Sequence, residues 1–143
     1  MAAIIVGPTN WQENEYVSTL VQTASLGDPV RGGYLICRSG GTAWIVAPAS
    51  SEVTRTWYCR NDAVTTATNC TSATGWFVPT CFQLKNPGYT CRTYWDSYSS
   101  AFYWSDTQYN EGYSGGVFLT TGSASASLKS DPHCVRAFRC VCY

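Results

Sequence analysis

Charged side chains are scarce in this sequence. They make up 13% of its 143 residues, about half the share of an average domain, and nine bases balance nine acids. A nucleic-acid-binding protein needs a basic stripe to neutralise phosphates, and this chain has none. No apolar run approaches the roughly 18 residues that a membrane span requires. We therefore expect no nucleic-acid partner and no membrane insertion.

Candidate catalytic residues are few as well. His133 is the sole histidine, and no recognisable nucleophile or carboxylate motif stands beside it. Such a histidine is usually a solvated loop residue. Asp96, Asp106 and Glu111 are scattered carboxylates, and a glycosidase pair would need two of them within about 5–10 Å across a cleft. We expect the protein not to be an enzyme and to need no cofactor.

Cysteine is abundant by contrast. An even number well above the usual frequency favours disulfides in an oxidising compartment. The eight candidates are Cys37, Cys59, Cys70, Cys81, Cys91, Cys134, Cys140 and Cys142. They allow on the order of a hundred pairings, so the connectivity stays open. Zinc is the alternative, but no Cys-x-x-Cys pair occurs, and we expect no metal site.

The amino terminus has no basic region ahead of its short apolar run and does not resemble a secretory signal peptide. A cysteine-rich chain without an export signal is typical of a virion component, which is made in the cytoplasm and released by lysis into oxidising surroundings. A chain processed before this point is the alternative. We expect a virion location, extracellular after lysis, with the bacterial cell surface as the other candidate.

Two segments differ in composition. Residues 1–31 contain no cysteine, one strand-like apolar run at Ala3–Val6 and a polar stretch that leads to Gly27-Asp28-Pro29. We interpret them as an N-terminal arm or docking segment. Residues 32–143 form one domain, long enough to bury a single core.

Strand patterns recur through the domain. Apolar runs at 34–37 and 42–47 flank a glycine turn and predict a hairpin, and runs at 117–120 and 124–128 predict a second one. Strict alternation over 134–141 predicts a closing strand. The glycine pairs are typical of turns at strand edges: Gly32–Gly33, Gly40–Gly41 and Gly115–Gly116.

Two helices are predicted between the hairpins, which makes the fold class α+β. The segment 56–70 is the best candidate, with Trp57, Ala63 and Ala67 on one face. Thr80-Cys81-Phe82-Gln83 has the form of a capping box and predicts a short helix. That helix must end before Asn86-Pro87-Gly88.

The stretch from Arg92 to Gly116 carries eight aromatic residues in 25 positions and almost no aliphatic side chain. Tyr and Trp among Ser, Gly, Asn and Asp is the composition of an antibody paratope, in which rigid rings supply contact area and short polar residues supply hydrogen bonds. Five rings lack a periodic partner, and we predict that they form an exposed or interfacial recognition surface: Tyr94, Trp95, Tyr98, Tyr109 and Tyr113.

Several motifs occur in a recognisable order. They are GGYLICRSGGTAWIVAP from Gly32, GWFVPT from Gly75, YWSDT from Tyr103, GGVFLTTGSAS from Gly115 and VRAFRCV from Val135. In order and spacing they resemble the C-type-lectin-like domains found at the C-terminus of collagen-like bacterial adhesins and in phage virion and tail-fibre proteins. The resemblance covers about residues 32–141.

The resemblance implies a C-type-lectin-like fold, with a small sheet joining the termini, two flanking helices and a long loop region that carries the binding face. It also implies a buried Trp104 with Phe102 as its same-face neighbour, and a disulfide from Cys59 to Cys140 or Cys142. The calcium motifs of sugar-binding members are absent, so we expect no calcium-dependent sugar coordination. Arg136 and Arg139, in the last motif, are expected to pair with carboxylates or loop carbonyls.

These features predict a non-enzymatic phage virion protein. It is either a receptor-binding module of a tail or fibre, contacting a host-surface glycan or protein, or a decoration protein packed on other virion proteins. Both roles imply an oligomeric or assembly-bound state. The alternative is an adhesin domain of a bacterial cell-surface protein that binds polysaccharide. Acidic polysaccharide would require several bases, and Arg92 is the only one in the aromatic stretch.

Overall fold

In the part of the chain that the structure describes, the fold consists of two β-sheets and three α-helices. The structure is a computed structural model and describes the backbone of residues 10–143 and the side chains from residue 17 onward. In chain order the elements are α1 (Asn10–Thr23), β1 (Pro29–Val30), β2 (Gly33–Ser39), β3 (Thr42–Val46), β4 (Val53–Arg55), α2 (Asp62–Thr71), α3 (Cys81–Gln83), β5 (Phe102–Gln108), β6 (Tyr113–Phe118), β7 (Ala124–Leu128), β8 (His133–Val135) and β9 (Phe138–Cys142). The predicted α+β class is confirmed.

The strands form a four-stranded sheet in the order β1-β2-β3-β9 and a five-stranded sheet in the order β4-β8-β5-β6-β7. All pairs are antiparallel except the short contact of β5 with β8. The two predicted hairpins are confirmed as β2–β3 and β6–β7. Gly40 and Gly41 close the first hairpin with φ of 58° and 82°, because a two-residue turn that matches the strand twist needs positive φ at both positions. Gly115 and Gly116, by contrast, lie inside β6 and not in a turn.

The closing segment is not the single strand predicted from its alternation. His133–Val135 pairs with β4 in the five-stranded sheet, whereas Phe138–Cys142 pairs with β3 in the other sheet. Arg136 and Ala137 link the two strands and are buried. The alternation does not mark one covered face, because Cys134 and Val135 of β8 belong to two different core clusters on opposite sides of the sheet.

The predicted helices form with shifted boundaries. Trp57–Cys59 is a single 3-10 turn, and α2 begins only at Asp62. The capping box is confirmed: the Gln83 amide donates to Thr80 Oγ1 at 3.2 Å, and the Thr80 amide donates to Gln83 Oε1 at 2.9 Å. After α3 the helical path breaks at Asn86, whose φ is −143°.

Helix α1 lies within the segment 1–31, for which a polar arm and not a helix is predicted. Val17 and Val21, four residues apart, are fully buried in a cluster with Leu35, Ile45 and Trp76. From residue 17 onward the segment therefore contributes to the core of the domain. The strand-like run at residues 3–6 lies outside the described residues.

The five-stranded sheet is covered on both faces. Tyr103 and Val117 face a cluster with Ile36 and Val46 of the four-stranded sheet. Phe102 and Trp104 point the other way, into a cluster that includes Trp57 and Ala63 near α2. Trp104 is buried and its ring centroid lies 5.6 Å from that of Phe102, so the burial and pairing implied by the resemblance are confirmed.

Candidate functional site

The five aromatic residues of the predicted recognition surface fall into two groups. Tyr94 and Tyr98 precede β5, whereas Tyr109 and Tyr113 flank the turn that follows it. All four are exposed. Strand β5, which has seven residues and is therefore about 20 Å long, lies between the two groups. The structure does not bring the five together on one continuous face.

Trp95 is not exposed, and that part of the prediction is wrong. Only 6% of its surface is accessible. Its ring packs edge-on against Tyr103 and Phe138, with centroid distances of 6.0 and 5.6 Å, and the Arg136 guanidinium lies 5.0 Å from it. The large indole fills the space between the two sheets that short polar neighbours in the loop cannot fill.

Arg136 holds the loop around Trp95 in place. It is 1% exposed and pairs with Glu52 Oε1 and Asp96 Oδ1, each at 3.1 Å. It also donates to the carbonyls of Ala47 at 2.9 Å and Ser97 at 2.6 Å. The expectation that Arg136 pairs with carboxylates and loop carbonyls is confirmed. Neither acidic partner could be identified from the sequence, because Glu52 and Asp96 are remote from Arg136 along the chain.

Tyr103 extends this network. Its hydroxyl donates to Glu52 Oε1 and accepts the Ser99 amide, the latter at 2.7 Å. Burial raises the pKa of the Tyr103 phenol, and the hydrogen bond to Glu52 raises it further. The backbone from Trp95 to Ser99 is thus fixed at several points, and Tyr98 projects from a rigid loop. Arg139 is also buried and lies against Gly75.

A groove of about 410 Å³ opens beside Tyr109. We call it the Tyr109 groove, and its lining residues are Cys81, Thr107, Gln108, Tyr109, Gly115, Ala124, Ser125 and Ala126. None of them carries a full charge at neutral pH, since burial raises the pKa of the Cys81 thiol. Tyr109 exposes 72% of its surface at the rim. The groove thus combines an accessible ring with hydroxyl and amide groups.

Facing small residues create this depression. In the β6–β7 register Gly115 lies opposite Ala126, and Val117 lies opposite Ala124. Because Gly115, Ala124 and Ala126 carry no large side chain, nothing protrudes from the sheet surface at these positions and a depression remains. The amide of Cys81 donates to Thr107 Oγ1 at 2.9 Å and places the start of α3 at the wall. The small residues in these two strands were the only sequence signal for the groove. They predict a groove only when the pairing of β6 with β7 is known.

The turn after β5 is tightly bonded and holds the rim. The Tyr109 amide donates to the Tyr113 carbonyl at 3.1 Å. Asn110 Oδ1 accepts from the amides of Gly112 and Tyr113 at 3.0 and 2.9 Å. Tyr113 lies opposite Leu128 in the neighbouring strand, and both side chains are exposed. An aromatic and apolar patch therefore continues from the groove.

His133 is not the solvated loop residue expected. It lies in β8, with its ring 4.8 Å from both Phe102 and Trp104. Burial lowers the pKa of His133, and Asp131 acts in the opposite direction. Its Nε2 is 2.9 Å from Ser127 Oγ, whose hydroxyl donates to Asp131 Oδ2 at 3.3 Å. In a catalytic triad the carboxylate contacts the imidazole, whereas here it contacts the serine.

Two of the three scattered carboxylates, those of Asp96 and Asp106, are engaged in ion pairs. Asp106 Oδ1 is 2.7 Å from Arg60 Nε, and Asp96 pairs with Arg136. Asp96 shares Arg136 with Glu52. At Glu111 the backbone carbonyl, and not the carboxylate, accepts from Lys129 Nζ at 2.8 Å. Among the residues that the structure describes, no cluster of three or more His, Cys, Asp or Glu side chains could hold a metal ion.

All eight cysteines are free thiols in the structure. The predicted disulfides, including the one from Cys59 to Cys140 or Cys142, are not formed there. Cys134 is buried, Cys37, Cys81 and Cys91 are half-buried, and the others are exposed.

Within the described part of the chain, no helix is long and apolar enough to cross a bilayer. No protein-family model matches the sequence, and the search of curated proteins found no relative of significant similarity.

Proposed function

We propose that this protein is a non-enzymatic recognition module of a phage virion, with a C-type-lectin-like fold, and that it binds an uncharged host-surface glycan in the Tyr109 groove. The observation that carries the proposal is the exposed Tyr109 ring at the rim of a groove whose lining is uncharged and mostly apolar, with a few hydroxyl and amide groups.

The fold supports the C-type-lectin-like part of the proposal. The early hairpin β2–β3 pairs with the last strand, β9. Helices α2 and α3 follow the hairpin, and a long segment with little regular structure then leads to β5. This order corresponds to the helices, loop region and terminal strands that the sequence resemblance implies.

The groove has the chemistry that a neutral sugar requires. A flat tyrosine ring can stack on the apolar face of a pyranose, while its hydroxyl stays in water. Thr107, Gln108 and Ser125 offer donors and acceptors for sugar hydroxyls. The volume lies within the usual range of small-ligand sites. A fixed turn behind Tyr109 reduces the entropy lost on binding.

Virion decoration is the second candidate, and the patch of Tyr113 and Leu128 favours it. Both side chains are exposed and lie directly opposite each other on neighbouring strands. A decoration protein would bury this patch against another virion protein, whereas a receptor-binding module would leave the Tyr109 groove open to solvent.

Binding of Tyr109→Ala to host cells and to an array of neutral oligosaccharides tests the proposal. We expect affinity to fall by about 2 kcal/mol or more, the size of a typical hot-spot effect, with an unchanged melting temperature. Tyr58→Ala is the matched control, because Tyr58 is a tyrosine of similar exposure, 65%, outside the groove.

Equal binding by the wild-type protein and Tyr109→Ala would contradict glycan recognition in the groove. Loss of attachment to stripped virions in Leu128→Ser, with glycan binding retained, would instead support decoration.

A further inference from the structure

Cys37 and Cys91 meet between the two sheets. Cys37 lies in β2 and Cys91 directly precedes the 3-10 turn Arg92–Tyr94, and these two elements are in contact. Both side chains pack against the same hydrophobic cluster. The Cys91 side chain is near enough to the Cys37 thiol to act on its pKa, although residues 38–90 separate them in the sequence.

The other cysteines of that cluster have different neighbours. Cys81 Sγ contacts the Gly116 carbonyl at 3.8 Å, and the Cys134 thiol is near Ser99 and Glu52. Cys140 and Cys142 are close to each other but stand two residues apart on one extended strand, where their Cα atoms are about 6.6 Å apart, near the upper limit for a disulfide.

We propose that Cys37 and Cys91 form a disulfide that ties β2 to the start of the aromatic loop. The oxidant is a small-molecule disulfide of the glutathione class. A thiolate of the pair attacks one of its sulfurs, forms a mixed disulfide and releases one small thiol. The second cysteine then attacks the protein sulfur of the mixed disulfide and releases the other. Two protein thiols become one S–S bond, and the oxidant is reduced to two thiols.

The site makes this exchange slow at neutral pH. Burial raises the pKa of Cys37 to about 11, with a further contribution from the neighbouring Cys91 thiol. A thiol with that pKa is almost wholly protonated at pH 7, and the thiolate is the attacking species. The half-buried position also limits access of reductants, so the bond should persist once formed.

Tryptic peptide mapping gives a direct test. Cleavage after lysine and arginine places Cys37 in the peptide 32–38 and Cys91 in the peptide 86–92, each with a single cysteine. The folded full chain is incubated at mildly alkaline pH with oxidised glutathione, its remaining thiols are alkylated, and it is digested without reduction. We expect one linked species of these two peptides, which separates on reduction.

Cys59 is the internal control, because it lies alone in the peptide 56–60 and is exposed. That peptide should be recovered alkylated or joined to glutathione, and not linked to 32–38 or 86–92. In Cys91→Ser the linked species should vanish. Recovery of 32–38 and 86–92 both alkylated, from protein with a native circular dichroism spectrum, would overturn the proposal.

Stability provides a second readout. Closing a loop of this length should raise the melting temperature of the oxidised protein by about 5–15 °C over the reduced protein. Cys59→Ser should keep this difference and Cys91→Ser should lose it. An equal difference in both variants would show that the stabilising bond lies elsewhere.

Discussion

Tyr109 exposes 72% of its surface and Trp95 exposes 6%, although both belong to the same polar, aromatic stretch. The difference lies in what surrounds each residue. Trp95 is drawn between the sheets by Phe138 and Tyr103, whereas Tyr109 stands beyond the end of β5, where small residues leave its ring uncovered. Side chains of one segment can therefore be buried in the core or exposed on the surface, depending on the residues around each of them.

Trp95→Ala should therefore destabilise the fold by about 3–5 kcal/mol, the usual cost of deleting a buried large ring. Tyr109→Ala should change the free energy of unfolding by no more than about 0.5 kcal/mol. Urea unfolding followed by circular dichroism measures both. Trp104→Ala is the reference for a buried tryptophan, and a Trp95→Ala protein as stable as wild type would contradict the packing described.

Arg136→Ala should cost about 3–5 kcal/mol, because it leaves Glu52 and Asp96 without their buried cation. The matched control is Arg55→Ala, which removes the exposed ion pair with Asp62 and should cost about 1 kcal/mol or less. Similar losses in the two variants, measured by chemical denaturation, would argue against a special role of the buried pair.

At the scale of elements, hairpins and caps follow from local chemistry, and the partners of each strand do not. Gly40–Gly41 and the Thr80–Gln83 box could be predicted because turns and helix starts depend on a few adjacent residues. Helix α1 was missed although Val17, Leu20, Val21 and Ala24 have helical spacing, which the polar residues around them obscured.

Two other features could not be predicted from the sequence pattern. The switch of the closing segment between sheets leaves the same alternation as one continuous strand. The burial of Trp95 depends on Phe138 and Arg136, which are distant along the chain. Likewise the Tyr109 groove depends on the register of β6 with β7, which composition does not specify.

Strand β6 requires glycine at position 116. A Cβ there would overlap the Tyr103 carbonyl and the Phe102 ring, so Gly116→Ala must push β5 and β6 apart. We expect a loss of about 1–3 kcal/mol or more in the free energy of unfolding. Gly112→Ala is the control, since a Cβ at that position meets nothing closer than Asn110 Oδ1 at 4.0 Å. Equal melting temperatures of the two variants would contradict the close approach.

At the scale of the whole molecule, stability should depend on pH through His133. Burial holds the folded-state pKa below the usual 6.5, and Asp131 only partly opposes this. Below pH 6.5 the unfolded chain binds a proton that the folded chain does not, so stability should fall as the pH drops from about 7 to 5. In His133→Gln that part of the decline should disappear. An unchanged pH profile in the variant would show that His133 titrates alike in both states.

The passage of the chain between the sheets also determines how the molecule would respond to a pulling force. Strand β9 lies at the edge of its sheet, where it pairs with β3, and only its first residue, Phe138, also exchanges backbone hydrogen bonds with Phe77. Tension applied at residue 143 would break the backbone hydrogen bonds of β9 one after another. Because only one or two bonds carry the load at a time, each step needs little force. Unzipping would then reach Arg136, whose bonds to Glu52, Asp96, Ala47 and Ser97 share the load in parallel. The buried arginine thus acts as a mechanical stop between a compliant edge and the rest of the domain.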